Sequence, residues 1–470
     1  MITIPSIVWL ACVFGLPLAC VLLSKTGIGT VRLRFTSIAI ATVLTAGTTL
    51  PFFWAALRGF HVDPPSFMPG TGALLRLDEL SLVLPALAAG LWLFTIVVTP
   101  TVVLGADGLR FTAQSTLFTL ATFLTEHPLV LALAWAGSVA ALRGAFMTTR
   151  SKKRHFAGVY LGVSTILFAS GAVLLTLPTA RGSALDITAL GLLVAGAMIR
   201  KGIFPAHAWV PAMFEHGRLG PSILFSSPQV GTYAVAVLVV PRAPAELLRV
   251  VAILSLFTGV YAAAQAIVQR SARRVCAYLF VSQSALVMAG LDSTSHEALT
   301  GALVLWLASS VSFAGLGRCL VVLEARRGEL DLARYHGAYE RKPLLAAAFL
   351  VLGLSYSGFP GTLGFVGEEL LLGGAVGAFP WLGFLVVASS ALIGIAVLRM
   401  YFSIFTGRSL ESPMVLKPSE AVGFVAVAAV LVLTGLVPAP LVASRERASA
   451  HLIMERTLSG VAVLVDHPAR

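Results

Sequence analysis

The sequence predicts an all-α polytopic membrane protein, on three observations. Of its 470 residues, 57% are hydrophobic and 11% charged, with mean hydropathy +0.91; soluble chains carry about 25% charged residues. Apolar runs of about twenty residues recur from end to end, the length a helix needs to cross ~30 Å of hydrocarbon. The basic residues gather in alternate loops rather than in one patch. That pattern marks cytoplasmic loops, and it excludes a nucleic-acid surface despite the formal charge of +12.

The runs fall at 4–24, 36–57, 79–104, 112–124, 128–146, 156–178, 186–204, 221–241, 247–268, 275–291, 298–323, 344–374, 380–406 and 419–442. This reads as about fourteen transmembrane helices in one domain, 1–470, with a short C-terminal tail at 443–470. The first run has no basic leader and no small-residue cleavage site, so it is expected to be retained. The fourth is short and could join the fifth as a re-entrant pair. Lys25, Arg32 and Arg34 follow the first run, and Arg150, Lys152, Lys153 and Arg154 follow the fifth. Arg270, Arg273 and Arg274 follow the ninth; Arg326, Arg327, Arg334, Arg341 and Lys342 follow the eleventh. The loops at 125–127, 291–297 and 375–380 hold no Lys or Arg. The positive-inside rule then predicts a multi-pass protein of the cell's inner (plasma) membrane with both termini on the outer side. Arg445, Arg447, Arg456 and Arg470 in the tail run against that orientation, offset in part by Glu446, Glu455 and Asp466.

Several chemistries are excluded. Cys12, Cys20, Cys276 and Cys319 form no CxxC pair, so neither a metal site nor an iron–sulfur cluster is expected. No glycine-rich phosphate loop or dinucleotide fingerprint occurs, and no cofactor is expected. The longest polar loop, 324–343, is too small for an enzyme active site. No catalytic residue is assigned.

Chemistry concentrates where two helices are interrupted. RKGIFPAHAWVP, residues 200–211, breaks the seventh run at Pro205; SYSGFPGTLGFVGEELL, residues 355–371, breaks the twelfth at Pro360. Proline frees a backbone carbonyl that lipid will not tolerate, and paired breaks in corresponding halves point to an ion or substrate path. The five-run offset fits two five-helix repeats, approximately 112–241 and 247–406. Arg200 and Lys201 precede the first break; Glu368 and Glu369 follow the second. Ionisable groups at membrane depth cost at least ~2.5–3.5 kcal/mol each and persist where they have partners or a task.

At these residues the sequence resembles the antiporter-like subunits of respiratory complex I (chains L, M and N), the Mrp-type sodium/proton antiporters and the membrane subunit of the two-component inorganic-carbon transporter. Residues 200–211 match the family pattern K-x-x-x-x-P-x-H-x-W-[LV]-P, with arginine in the lysine place. SARRVCAYLFVSQ, 271–283, follows D-x-K-R-x-x-A-Y-x-x-x-S-Q. GFPGTLGFVGEELLL, 358–372, is similar to the chain M type, where G-x-x-G-x-F-x-G-E carries an essential acid, and RLDELSL, 76–82, matches the opening of the third helix. The resemblance implies two inverted five-helix repeats with broken helices, each holding a half-channel, joined at mid-membrane by acidic, basic and histidine side chains.

The chain departs from that pattern in its polar residues. Where the family's fifth helix carries W-E-G, this one has Trp135-Ala136-Gly137, without the glutamate that pairs with the seventh-helix lysine. Glu126, beside His127 and Pro128, is the nearest acid. The eighth helix, PSILFSSPQVGTYAV, offers Ser227 and Gln229, and the eleventh Ser309 and Ser310, where relatives often place lysine and histidine. The expected proton pathway therefore comprises Glu368, Lys201, Arg200, His207 and Gln229, with Lys201 the seventh-helix group able to titrate and Arg200 a fixed cation. Pro205, Pro360, Glu369 and Arg273 are read as gating or structural. His207 and Trp209 are expected to satisfy freed backbone groups, Glu215, His216 and Arg218 to form a solvated turn, and Arg273 and Arg274 to anchor the loop. The function implied is an ion-translocating subunit, for protons or sodium ions, in a lipid bilayer with other membrane and soluble subunits. Its driving reaction would come from a complex-I-like or hydrogenase-linked assembly, or from the large soluble zinc protein of an inorganic-carbon transporter. A different reading is a docking subunit that has lost transport.

Overall fold

The computed structural model describes residues 4–57, 66–67, 75–146, 152–178, 181–293, 295–340, 342–378, 380–407 and 417–458. Helices α1 (Ile4–Leu23) and α2 (Thr30–Leu57) precede a two-stranded antiparallel hairpin, β1 (Ser66–Phe67) and β2 (Leu75–Arg76), in which Ser66 faces Arg76. Next come α3 (Leu84–Val98), α4 (Thr101–Phe123), α5 (Pro128–Phe146) and α6 (Lys152–Leu175). The seventh run is split into α7 (Ala184–Lys201) and α8 (Trp209–His216), and the eighth into α9 (Leu219–Ser226) and α10 (Val230–Leu238). Then follow α11 (Ala245–Val268), α12 (Ala272–Leu291) and α13 (His296–Arg327). The twelfth run is split into α14 (Pro343–Tyr356) and α15 (Leu363–Ala378), before α16 (Pro380–Phe405), α17 (Pro418–Leu436) and α18 (Ala439–Leu458). Among the described residues seven helices are long and apolar enough to cross a membrane, eight if α7 and α8, bent by 43°, count as one span.

Two boundaries differ from the sequence reading. The third run was expected to continue to 104, but α3 stops at Val98 because Thr99 precedes Pro100 and is extended, as a residue before proline prefers. Residues 101–104 instead form a short turn at the start of α4, kinked at Gly105 (φ 56°) from the helix that continues to Phe123. Asp107 and Arg110 interrupt its apolar pattern, and they pair with each other at 2.8 Å on an exposed flank. The tail was read as a short extension; it is helical as α18 through Leu458. Arg150, Arg341, Asp466 and Arg470 lie outside the described residues.

Polarity is arranged as lipid demands. Large apolar side chains such as Val43, Phe53, Leu133, Ile166, Phe384 and Leu433 are exposed, while Arg200, Lys201, Asp292, Arg318 and Arg445 are buried. With hydrocarbon outside, polar groups gain by facing the interior, where they find partners. Helix α13 is the axis of the bundle: nearly all its residues from Ala298 to Leu323 are buried, and α3, α9, α12, α14, α15, α17 and α18 pack on it. Ser295 caps it, accepting from the Ala298 N–H at 3.3 Å, a bond of about 1 kcal/mol.

The two ends of α13 define two faces. At its C-terminal end Arg326 pairs with Glu420 of α17 and Arg273 of α12 pairs with Glu324. The polar loop beyond α13 is strapped down there, with Leu332 donating to the Arg270 carbonyl and residues 336–339 bonding the end of α16. At the N-terminal end lies α18: Ser449 meets Thr300 at 2.7 Å, and Glu446 O meets His296. Arg445, fully buried, donates to the carbonyls of Leu80 and Glu79 at 2.9 and 2.8 Å. This tail arginine satisfies backbone acceptors and is not a free surface charge.

Candidate functional site

The first break is built by Gly202. It ends α7 with φ 72°, a left-handed turn that glycine adopts without strain, and a Cβ there would lie 2.7 Å from Val210 Cγ2. The chain then crosses Pro205 and a single 3-10 turn, Ala206–Ala208, into α8. The groups freed by the break have partners. Trp209 Nε1 donates to the Ile199 carbonyl at 2.6 Å, and the Phe204 N–H donates to Thr258 Oγ1 at 3.1 Å. Trp209 thus satisfies the backbone as its sequence position suggested. The His207 ring packs beside Phe204 and Tyr261, with centroids at 5.9 and 5.1 Å, and interacts with the backbone of Pro205 at the break. Pro205 is exposed at the turn.

Arg200 and Lys201 are successive residues, so about 100° of helix rotation separates them, and they address different neighbours. Arg200 turns toward α5. Its guanidinium lies between Trp135 and Phe225, 4.3 and 4.4 Å from the ring centroids, and donates to Ser138 Oγ at 2.9 Å. Trp135 is in turn stacked on Phe168 at 4.2 Å. The aromatic sandwich contributes roughly 2 kcal/mol when desolvated as here. Glu126 does not substitute for that acid. It lies between α4 and α5, paired with Arg76 at 3.1 Å, and lines a 380 Å³ pocket with Asp78, Arg242, His451 and Glu455. Burial, then Asp78, pushes its carboxyl up from 4.5 to about 7.

Lys201 turns toward α10, where its ammonium donates to Gln229 Oε1 at 3.3 Å and to Thr232 Oγ1. Gln229 occupies the gap between α9 and α10 in a left-handed conformation, φ 49°. Its Nε2 donates to Ser309 Oγ on α13 at 2.9 Å, and Trp306 Nε1 donates to the Pro228 carbonyl freed at the same gap. Three residues along α13, one turn away on the same side, Ser312 bonds Ser355 Oγ of α14 at 3.1 Å. Ser310 bonds only its own helix, at Trp306 O, and Ser227 does likewise at Ile223 O.

Ser355 stands at the second break. Gly358 and Gly361 turn the chain with φ 72° and 86°, and Pro360 is exposed at the apex. Gln283 of α12 donates to the Tyr356 carbonyl at 2.6 Å, and Tyr356 Oη donates to the Leu279 carbonyl at 2.9 Å. The Glu368 carboxyl folds back from α15 against Gly358: a Cβ at that glycine would fall 1.6 Å from Oε2, which has no hydrogen-bond partner. Glu369 points outward and is exposed. A polar thread therefore runs between the two breaks in two hydrogen-bonded stretches, Lys201 to Gln229 to Ser309 and Ser312 to Ser355, with no hydrogen bond from Ser309 to Ser312 or from Ser355 to Glu368.

Of the remaining residues singled out in the sequence, Arg273 lies apart at the loop-rich end of α13. It makes a two-pronged pair with Glu324 and donates to the Glu215 carbonyl, while Arg274 lies 3.8 Å from Glu215. Glu215 is thus bound to the anchor and does not form a simple solvated turn. Sequence reasoning missed Thr232, Ser138, Ser312 and Ser355, hydroxyls whose partners come from distant segments. It also missed Asp292, which caps α12 and is buried. No group of three or more His, Cys, Asp or Glu able to hold a metal ion occurs among the described residues.

The transmembrane family described as NADH:quinone oxidoreductase/Mrp antiporter matches residues 116–394. NADH-quinone oxidoreductase subunit 13 of Thermus thermophilus is 33% identical over 223 residues, 45% of this chain and 47% of that protein. The chain thus matches about half the length of such curated relatives. Among solved structures, a chain of respiratory complex I from Thermus thermophilus with bound NADH superposes with TM-score 0.84 at 21% identity, over 95% of this chain and 99% of that one. A chain of the Mrp complex from Dietzia sp. DQ12-45-1b gives 0.85 at 19% identity, over 97% and 99%. At these identities the likeness is one of fold.

Proposed function

This chain belongs to the NADH:quinone oxidoreductase/Mrp antiporter family, and on that premise we propose that it translocates protons across the inner (plasma) membrane as one subunit of a larger complex. The observation that carries the reading is the thread between the breaks. Its two ends are the titratable groups Lys201 and Glu368, and its interior is made of one amide and three hydroxyls. Serine hydroxyls both donate and accept, so Ser309, Ser312 and Ser355 can relay a proton provided that water bridges Ser309 to Ser312 and Ser355 to Glu368. Lys201 exchanges a proton with Gln229 and Thr232 as its neighbours. Arg200, which keeps its proton under all ordinary conditions, sets a fixed positive potential beside it. Glu368 takes up or releases the proton at the other break.

In this reading the chain crosses the membrane about fourteen times as two inverted five-helix repeats, approximately 112–241 and 247–406. The loop-rich face is cytoplasmic and held by Arg273, the α18 face and both termini are outside, Pro205, Pro360 and Glu369 shape or gate the breaks, and His207 stands on the pathway at the first of them. The rival is a docking subunit, favoured by Ala136 and by the uncharged middle of the thread. Flux in vesicles reconstituted with the native complex separates the two. Lys201→Ala and Glu368→Gln are expected to abolish partner-dependent proton flux with insertion intact; full activity in Lys201→Ala would mean that this helix carries no proton, and full activity in both variants favours the docking reading. Co-purification of that complex identifies the partner, a redox arm or a soluble zinc protein serving inorganic-carbon uptake.

A further inference from the structure

Asp292 caps the end of α12 on the α18 face, and it is 4% exposed with neither carboxylate oxygen in a hydrogen bond. A buried carboxylate without partners costs several kcal/mol as an anion, so a purely structural role gives no reason for an acid here. Arg456 of α18 and Lys201 of α7 both act on it electrostatically.

Asp292 lines a cavity of 260 Å³ with Arg249, Ser293, Ala298, Leu371 and Ala375 among others. The last two fix where this cavity leads. Glu368, Leu371 and Ala375 are at positions i, i+3 and i+7 of α15, so they share one face of that helix. The cavity thus begins one turn beyond Glu368 and ends at Asp292, while Arg249 of α11 is exposed at its margin. Its volume accommodates several solvent molecules, at ~30 Å³ each.

We propose that this cavity is the port of the proton path on the α18 face and that Asp292 is the acid that exchanges protons there. The inference rests on the transport reading above. A dehydrated alkali or divalent cation is a poor fit, because such ions take about six oxygen ligands and the cavity offers one acid opposite an arginine. A proton needs only one acceptor. Burial pushes the Asp292 carboxyl well above the usual carboxylate range, which suits a group that is neutral at rest and charged in passing.

The test uses the native complex in vesicles, with Lys201→Ala as reference. Asp292→Asn should lower proton flux at least tenfold without loss of co-purifying subunits, and Asp292→Glu should restore part of it. Ala375→Phe, which fills the cavity and leaves the acid in place, should also lower flux. In a chain with its four native cysteines replaced, Asp292→Cys should react with a small charged thiol reagent added on the α18 side, and Ala375→Phe should slow that reaction. Full flux in both Asp292→Asn and Ala375→Phe, with Lys201→Ala inactive, overturns this inference alone. Full flux in Lys201→Ala as well overturns the transport reading beneath it. Flux that requires sodium and fails in sodium-free medium overturns the assignment to a proton.

Discussion

Gly358→Ala offers the sharpest test of the second break, because one methyl group meets one carboxylate. An added Cβ would lie 1.6 Å from Glu368 Oε2 and 2.7 Å from its carboxyl carbon. Ordinary contact begins near 3.5 Å, so the carboxyl must retreat by roughly 2 Å. The backbone itself resists little: alanine at φ 72° costs ~1–2 kcal/mol, too small to unfold a helix bundle. A misplacement of ~1 Å at a reacting group can cost a factor of 100, so proton flux is expected to fall about 100-fold while thermal unfolding in detergent shifts only slightly. The decisive measurement is the same substitution in a Glu368→Asp background. There the carboxyl is withdrawn by one methylene, about 1.5 Å, and most of the clash is relieved. Gly358→Ala should then cost little beyond what Glu368→Asp costs alone, a strong departure from additivity. Unchanged flux in Gly358→Ala, or an equal loss in both backgrounds, would refute the claim that this turn positions Glu368.

Other outcomes follow from the same geometry. Arg200→Lys should keep proton flux while lowering stability by about 1–2 kcal/mol, since a lysine cannot fill the slot between Trp135 and Phe225; unfolding and flux assays read the two separately. Glu126 has a carboxyl raised from 4.5 to about 7, so the folded state holds its proton more tightly than the unfolded chain. Its contribution to stability is fully present below 4.5 and lost as pH rises through 7, and Glu126→Gln should flatten the fall in unfolding temperature across that window. Cysteines placed in loop 325–342 should label from the cytoplasmic side of intact cells, and one at position 470 from outside; exterior labelling of the loop would invert the orientation.

Most helices were legible because lipid leaves little choice: twenty apolar residues bounded by Lys, Arg, Gly or Pro have one economical conformation. The breaks at Pro205 and Pro360 were legible for the same reason, since a missing N–H is a local fact of the sequence, whereas the gap at Pro228 in the eighth run was missed. The site was legible only where a residue's own chemistry made it conspicuous. Lys201 and Glu368 stood out as charges in an apolar run. Thr232 and Ser312 did not, because a hydroxyl in a helix usually bonds its own i−4 carbonyl, as Ser227 and Ser310 do. Only the packing of α7, α10, α13 and α14 turns two of these hydroxyls outward to partners 31 and 43 residues away. Asp292 was passed over because it sits among Ser293, Thr294 and Ser295, a composition that reads as a solvated turn; α18, folding back from beyond position 439, lies against that end of α13.

The departures from the family pattern make physical sense together. An arginine at position 200 facing a glutamate at position 136 would form a buried two-pronged ion pair, which neither partner could leave at reasonable cost. With alanine at 136, the guanidinium stacks between Trp135 and Phe225 instead and keeps its charge without a carboxylate. The lysine one step further along is then rotated about 100° away from α5, and the groups it meets are Gln229 and Thr232 of the eighth helix, with Ser309 of α13 behind them. A one-residue shift of the titratable group and the loss of its acidic partner are thus two parts of a single change. In the proposed reading, the lysine of the first half is turned from α5 to the eighth helix and reaches the central helix through Gln229.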